Sequence, residues 1–551
     1  MRLHEDEVIE RYRASGAWGA QTLLDTFAAH VLRHSSSPAV TDPPNRSALV
    51  GTEPRRLTWA ELGAAVDALA TELLRRGVQT DDVVLVQLPN VWELPAVFLA
   101  VARAGGIISP LPMQWQSSEL RHVAETTDAR VYIGAESFKG TDYLAIARDV
   151  ASGSELDDLI GLSQLTAMAS AQADTAALEA RRPGADDVFS LCWTSGTEID
   201  PKGCPLTHNN WRFLGTRLLE LLAIPEGGRL LVTPPLVNMA GVGTSLVPWL
   251  LCGGNLVLHH PLDMDLLLDQ MGEGAAFTLL VPALLNMIVK RSETERLGIG
   301  SFGTIATGSA PPSAHSLEQF RRLFGIEVVN LWGQNEGTVL IAGAMDIPSP
   351  ALRADHFPWW GKEGIDWPSG VHGVDVKILD EEGQQLDEPG DVGELVYRSP
   401  SVFPGYYRRP DLTALAFTEE GFFRTGDLFR IIDDRHVAFF DRKKDIIIRG
   451  GVNISAAEIE NLALGHPDIL DAAAVAVPDE IMGERVCLFV VPRDQANAPG
   501  LEDIVSFIAD QGVAAYKLPE RLEVLDAIPR NPVGKILKAT LRLRIPGGGT
   551  R

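Results

Sequence analysis

The chain has 551 residues, 45% of them hydrophobic and 22% charged, the proportions of an ordinary globular protein too long for a single core. A formal net charge of −25 argues against nucleic acid or an anionic membrane surface as the main partner, and it obliges any anionic substrate to be met by a local cluster of donors. The four cysteines, Cys192, Cys204, Cys252 and Cys487, lack CxxC spacing and read as reduced thiols rather than metal ligands.

The charged start, MRLHEDEVIERYR, is no signal peptide, so the cytoplasm is the expected location. Thr58 and Glu61 form a capping-box pattern that opens a helix running to a stop at Gly77. VVLVQLPN (83–90) is a continuous apolar run suited to a buried strand. WELPAVFLAVARAGG then reads as a helix and ARVYIG (129–134) as a strand. The same β/α alternation recurs at 228–233, 255–258 and 326–330 and predicts an α/β fold with a parallel, helix-covered sheet. TSLVPWLLCGGNLVL (244–258), the most apolar stretch, is broken by Pro248, Gly253 and Gly254 and reads as buried helix and strand, not a membrane span. From about residue 370 short strands and glycine turns predict a β-rich subdomain. Beyond DRKKD (441–445) the pattern is that of a small α+β domain, with a loose tail, RIPGGGTR. The expected division is therefore 1–440 and 441–551.

WTSGTEIDPKG (193–203) joins small hydroxyl residues and glycines to Lys202, a composition that can wrap a phosphate in backbone N–H and hydroxyl donors. Taken alone, such a segment is more often a plain turn. Four further segments follow it in order: NLWGQNEG (330–337), GELVYRSPSVFPGYY (393–407), FFRTGDL (422–428) with DRKKDIIIRGGVNISAAEIE (441–460), and PRNPVGKILK (529–538).

This ordered set resembles the adenylate-forming superfamily of acyl-CoA synthetases, carrier-loading adenylation domains and luciferases, over nearly the whole chain. The resemblance implies a large N-terminal adenylation domain and a small mobile C-terminal lid. It also implies activation of a carboxylic acid by ATP and Mg²⁺ to acyl-AMP and pyrophosphate, then displacement of AMP by a thiol such as coenzyme A. Charge builds on phosphate oxygens in the first step, so positioning and electrostatic stabilisation carry it.

By the same resemblance, Thr194, Ser195, Gly196, Thr197 and Lys202 match the family's phosphate loop, with Thr194 also in a catalytic role. Glu198 and Ile199 depart from TSGTTGxPKG, and a glutamate there either points outward or helps hold Mg²⁺; some acyl-CoA ligases for alicyclic acids carry this TSGTE variant. Trp332 takes the adenine-stacking position, and Asn330 and Gly333 lie beside it. Gly308, Ser309 and Ala310 resemble the segment along the adenine. Glu336 matches the Mg²⁺-coordinating catalytic glutamate, whereas Asn335 replaces a threonine that contacts the α-phosphate. Asp427 matches the ribose-binding aspartate, Arg442 a nucleotide-contacting arginine and Lys444 the hinge. Gly450 and Gly451 would let a pantetheine arm pass close to backbone. Lys535 matches the adenylation lysine, which bridges substrate carboxylate and α-phosphate.

The resemblance places the acyl pocket at PPLVNMAGVG (234–243), with Asn238, Met239, Leu331, Gly333 and Val339 as walls. Asn238 stands where acyl-CoA synthetases often have histidine or an aromatic residue; it either donates to the acid or is satisfied by backbone. RYRASGAW (11–18) and QLPNVWEL (87–94) resemble both aryl-acid adenylating enzymes and alicyclic-acid CoA ligases, so a cyclic, aryl or medium-chain acid is expected. Two alternatives stay open: an acyl-AMP ligase that loads a separate carrier protein, and a nucleotide-binding pseudoenzyme. Lys535→Ala should slow adenylation by about 10²- to 10³-fold, the scale of a lost transition-state donor. Thioester formation from supplied acyl-AMP should suffer far less, and equal loss in both half-reactions would refute the assignment.

Overall fold

Val83–Gln87 has no exposed residue, as a strand with both faces covered requires, and it sits in the middle of a six-stranded sheet. The computed structural model describes residues 1–194, 200–450, 452–479, 481–530 and 535–545; the side chains of Thr338, Val339 and Asn453 lie outside it as well. In that sheet the strands run in the order Asp158–Gly161, Val131–Gly134, Val83–Gln87, Ile107–Pro110, Val188–Trp193 and Gly203–Thr207. All neighbours are parallel except the last two, which form an antiparallel pair with Trp193 opposite Gly203.

A second, eight-stranded sheet orders Gly337–Ala342, Glu327–Gln334, Thr304–Gly308, Phe277–Leu279, Arg229–Val232, Asn255–Leu258, Pro38–Thr41 and Arg56–Thr58. It is parallel apart from the outermost pair at each end. Helices fill the space around both sheets. Trp59–Arg75 begins where the capping box predicts: Thr58 accepts from the Glu61 amide and Glu61 accepts from the Thr58 amide. Glu93–Arg103 is buried at every position before Arg103, and Trp59 stacks on Trp249 with ring centroids 5.1 Å apart. Around them lies an ion pair with no solvent exposure to speak of: Arg46 donates to both oxygens of Glu93, at 2.7 and 2.8 Å, and to Asp42 at 3.1 Å. Charges buried this way are tolerated because each is paired and hydrogen-bonded.

By contacts the chain divides into two units, Met1–Asp375 with Arg398–Phe423, and Val376–Tyr397 with Arg424–Arg551. This differs from a cut at 440/441. The strand His436–Arg442 runs through that point and pairs antiparallel with Phe423–Ile431, so the strands before it are grouped with the C-terminal segment. In the second unit a β-layer orders His436–Arg442, Phe423–Ile431, Val392–Arg398, Asp375–Leu379 and Gln385–Leu386. A further sheet is built on the long hairpin Ile469–Asp479 and Gly483–Pro492. Ala456–Leu464 and Leu501–Ala509 cover one of its faces through Ile459, Ile504 and Ile508; Leu541 and Ile545, at the chain's last helix, pack with Val475 and Phe489. The fold is α/β with a large N-terminal part, a β-rich section and a small α+β part, as the sequence pattern predicts.

The apolar stretch before residue 258 is buried helix and strand, with one element that periodicity did not anticipate. Met239–Leu246 is a π-helical turn leading into the helix Val247–Cys252. All four cysteines are buried free thiols, and burial pushes Cys192 up to about 12. Among the described residues no helix is long and apolar enough to cross a membrane.

His208 is almost fully buried, and its Nδ1 accepts from the Leu23 amide at 3.2 Å, so that nitrogen has to be unprotonated. Burial pushes its pKa down from 6.5 to about 3. The unfolded chain therefore takes up a proton that the folded chain resists. Stability is fully present above about 6.5 and is lost as pH falls toward 3. Melting temperatures should decline over that interval, and His208→Asn, whose Oδ1 can still accept from Leu23, should flatten the decline. An identical profile in the variant would exclude His208 as its source.

Candidate functional site

Four connections of the first unit begin at the carboxyl ends of strands: Thr194 after Val188–Trp193, 233–238 after Arg229–Val232, 309–313 after Thr304–Gly308, and the turn at 335–336 after Glu327–Gln334. Carboxyl ends are where open parallel sheets hold their ligands, because successive loops diverge there.

The first loop closes on itself at its base. Thr194 N–H donates to the Lys202 carbonyl at 2.9 Å, and Lys202 N–H donates to Thr194 Oγ1 at 3.1 Å. Thr194 is thus a clamp on the loop as well as a candidate phosphate contact. Ser195, Gly196 and Thr197, with the two departures Glu198 and Ile199, lie outside the described residues. The Lys202 ammonium stands 4.9 Å from the centre of the Tyr406 ring. The hydroxyl of that tyrosine donates to Glu336 Oε1 at 2.7 Å. The Glu336 carbonyl in turn accepts from the Phe403 amide at 2.9 Å. One aromatic side chain thereby joins Lys202 to a carboxylate that is only 7% exposed. Tyr406 was not singled out in the sequence; it lies in the GYY of a recognised segment, but no spacing rule links 406 to 202 or 336.

Gly308 and Leu331 are register partners, and a Cβ on Gly308 would lie 2.7 Å from the Leu331 carbonyl oxygen, so a glycine is required for the strands to approach. Ser309 follows with φ +72°, a turn that sends Ser309 and Ala310 out of the sheet, both exposed, beside the adjoining strand end. On that strand Leu331 is buried, Trp332 half-buried and Gly333 exposed. Asn330 is buried and donates through Nδ2 to the Ala354 carbonyl at 3.0 Å. One of its two amide hydrogens is thus used inside the fold.

Asn238 meets the backbone-satisfied expectation through its oxygen. Its Oδ1 accepts from the Gly241 amide at 3.2 Å, capping the π-helical turn, while its Nδ2 is a donor beyond that cap. A Cβ at Gly241 would meet the Pro235 carbonyl oxygen at 1.9 Å, which shows how tightly the segment doubles back. Met239 is buried. The segment is anchored by Asn90 of QLPN, whose side chain donates to the carbonyls of Pro234 and His259 and accepts from Leu236 N–H. The side chain of Val339 lies outside the description.

The remaining expected residues belong to the second unit. Asp427 and Arg442 are register partners on antiparallel strands, with Nε and Oδ1 3.7 Å apart. Glu394 beside them takes Arg424 at 3.1 Å, Lys443 at 3.6 Å and the Gly426 amide. The Lys444 carbonyl accepts from Arg542 at 3.4 Å, and Arg542 also pairs with Asp445 at 2.8 Å. The last helix is thus tied to the expected hinge. Gly450 forms a hairpin turn at φ +58°, its N–H donating to the Met482 carbonyl at 2.7 Å; a Cβ there would come within 2.8 Å of Met482 Cε. Gly451 is outside the described residues. Lys535 is half-buried, next to a bridge between Arg530 and Ile536.

Residues 37–407 match the family described as AMP-binding enzyme, and 458–535 match the AMP-binding enzyme C-terminal domain. The chain is 29% identical to the 2,3-dihydroxybenzoate-AMP ligase of Bacillus subtilis (strain 168), across 98% of this chain and 96% of that protein. It is also 29% identical to the medium-chain fatty-acid–CoA ligase of Escherichia coli (strain K12), across 96% and 92%. The crystal structure of an ATP-bound RpMatB–BxBclM chimera matches it with a TM-score of 0.81 at 26% identity, covering 95% of this chain and 99% of that one. With the strand-end loops and the 202–406–336 contact in place, these likenesses mean that the chain belongs to the AMP-binding enzyme family, the adenylate-forming ligases that adenylate carboxylic acids.

Proposed function

We propose that the protein is an ATP-dependent acid–thiol ligase, AMP-forming, acting in the cytoplasm. An oxygen of the acid's carboxylate attacks the α-phosphorus of ATP, the α–β phosphoanhydride bond breaks, and pyrophosphate leaves. The sulfur of coenzyme A then attacks the acyl carbon and AMP departs. The observation that supports this reading is the meeting of Lys202 and Glu336 on Tyr406, a cation suited to phosphate and a carboxylate suited to a metal ion, from distant parts of the chain.

Glu336 fits Mg²⁺. One carboxylate plus phosphate oxygens is how this cation is commonly held at nucleotides, and Glu336 offers such a hard oxygen ligand. Mg²⁺ there would neutralise charge on the departing pyrophosphate. Thr194, Ser195, Gly196, Thr197 and Lys202 would hold the phosphates. Trp332 would stack on adenine between Gly308–Ala310 and Gly333, with Asn330 at its edge. Asp427 would accept both ribose hydroxyls, as a carboxylate can, and Arg442 would contact the nucleotide. Lys535, carried on a lid of residues 441–551 that turns at Lys444, would bridge carboxylate and α-phosphate. Gly450 and Gly451 would line the thiol's path.

For the acid, the reading is a cyclic, aryl or medium-chain carboxylate held around Asn238, Met239, Leu331, Gly333 and Val339. The two curated relatives support that range, one named for a dihydroxybenzoate and the other for medium-chain fatty acids. They divide on the acceptor: the first is named only as an AMP ligase, so loading of a separate carrier protein is the second reading. Pyrophosphate release over a panel of acids, with coenzyme A, with carrier proteins and with neither, tests all of this. Acid-dependent release with thioester on coenzyme A is expected. Thioester on carriers alone would replace the acceptor, and no release with any acid would leave a nucleotide-binding protein without ligase activity.

Tyr406→Phe keeps a ring beneath Lys202 but removes the hydroxyl from Glu336. The Mg²⁺ concentration for half-maximal pyrophosphate release should rise about tenfold, the scale of one hydrogen bond to a charged group. Tyr406→Leu should in addition raise KM for ATP. A Phe variant with an unchanged Mg²⁺ titration would show that the hydroxyl does not position Glu336.

A further inference from the structure

Asn335, the residue that departs from the family's threonine, makes two hydrogen bonds to main chain in different segments. Its Nδ2 donates to the Trp193 carbonyl at 2.7 Å, and its Oδ1 accepts from the Met239 amide at 3.0 Å. Trp193 is the last residue of the strand that enters the phosphate loop, and Met239 is the first residue of the π-helical turn in the acyl segment. A helical turn leaves its first N–H groups without partners inside the helix. Here Asn335 takes that of Met239, while Asn238 takes that of Gly241. The peptide plane between Asn238 and Met239 is consequently held from outside, and the Asn238 side chain is held from inside.

We infer that Asn335 is a positioning residue for acid recognition: a single planar amide that sets the Asn238–Met239 peptide, and so the direction in which Asn238 Nδ2 points, relative to the base of the phosphate loop. Chemistry explains why this position carries asparagine. A carboxamide has a donor and an acceptor on opposite arms, so it can meet a carbonyl and an amide at once. A threonine hydroxyl is one atom shorter and offers a single oxygen for both tasks, so it cannot span the gap between these two main-chain groups. The site gives up a hydroxyl contact to phosphate and gains a strut between nucleotide loop and acyl pocket. The acid favoured by such a site carries a polar substituent within reach of Asn238 Nδ2, because only then does the fixed direction of that donor matter. This inference rests on the ligase reading for its substrate, but the strut itself is a property of the unliganded protein.

The two can be tested separately. In the unliganded protein, hydrogen–deuterium exchange of the peptide spanning 236–246 should accelerate about tenfold in Asn335→Ala, the scale of a lost hydrogen bond, with the rest of the first unit unchanged. Asn335→Asp keeps an oxygen for the Met239 amide but loses the donor to the Trp193 carbonyl and sets an oxygen against it, so it should accelerate exchange in that peptide as well. In steady-state assays with the acids the wild type accepts, Asn335→Ala should raise KM about tenfold for acids bearing a polar ring or chain substituent. KM for ATP, and KM for unsubstituted acids, should move less than about threefold. Unchanged exchange at 236–246 in Asn335→Ala, or equal increases in KM for ATP and for every acid, would overturn the strut. A wild type that releases no pyrophosphate with any acid would sink the ligase reading, and the exchange result would still decide the role of Asn335.

Discussion

The candidate site depends on where the parallel strands of the first unit stop. Arg229–Val232, Phe277–Leu279, Thr304–Gly308 and Glu327–Gln334 lie side by side in one sheet, and Val188–Trp193 ends the parallel part of the other. Parallel neighbours all finish at the same edge, so the loops that follow them cluster without any need for contact in sequence. The register of Gly308 against Leu331 shows how fine this control is. A methyl group at 308 would strike the neighbouring carbonyl, and the turn at Ser309 would no longer leave the sheet at that level.

Electrostatics is the second constraint. A chain with a net charge of −25 repels polyanions at long range, so the proposed nucleotide has to be met by short-range donors. The protein handles its own charges in two ways. Where carboxylates have no ligand to hold, they are saturated: Glu93 and Asp42 by Arg46, Glu394 by Arg424, Lys443 and a backbone amide. Glu336 is treated otherwise. It is nearly buried and accepts from the neutral hydroxyl of Tyr406, whose ring also lies against the Lys202 ammonium. The Tyr406 ring thus holds a lysine and a glutamate from distant parts of the chain near each other.

The π-helical turn at Met239–Leu246 is the third element of this arrangement. Its wider winding leaves N-terminal amides that need partners, and those partners come from Asn238 and Asn335. Asn90 secures the preceding stretch in the same fashion. Three asparagines therefore hold the stretch from Pro234 to Gly241 from the side, although it belongs to no sheet.

Much of this was legible in the chain, because local physics is written locally. The Thr58–Glu61 capping box, the apolar run at 83–90 and the stop at Gly77 depend on residues within a few positions of each other; the box and the stop form as read, and the strand occupies Val83–Gln87 of the run. The ordered segments around Thr194, Trp332, Glu336, Asp427, Arg442 and Lys535 likewise carry the family in their local composition, and the family identification follows from them. Tertiary structure alone decided the rest. That Tyr406 reaches Glu336, that Asn335 spans Trp193 and Met239, and that Arg542 grips Lys444 are contacts between positions 70, 142, 96 and 98 residues apart. No periodicity or propensity extends so far. Such pairs exist only once strand order and register have carried their ends to the same place, and a hydrogen bond is lost when either end is displaced by about an ångström.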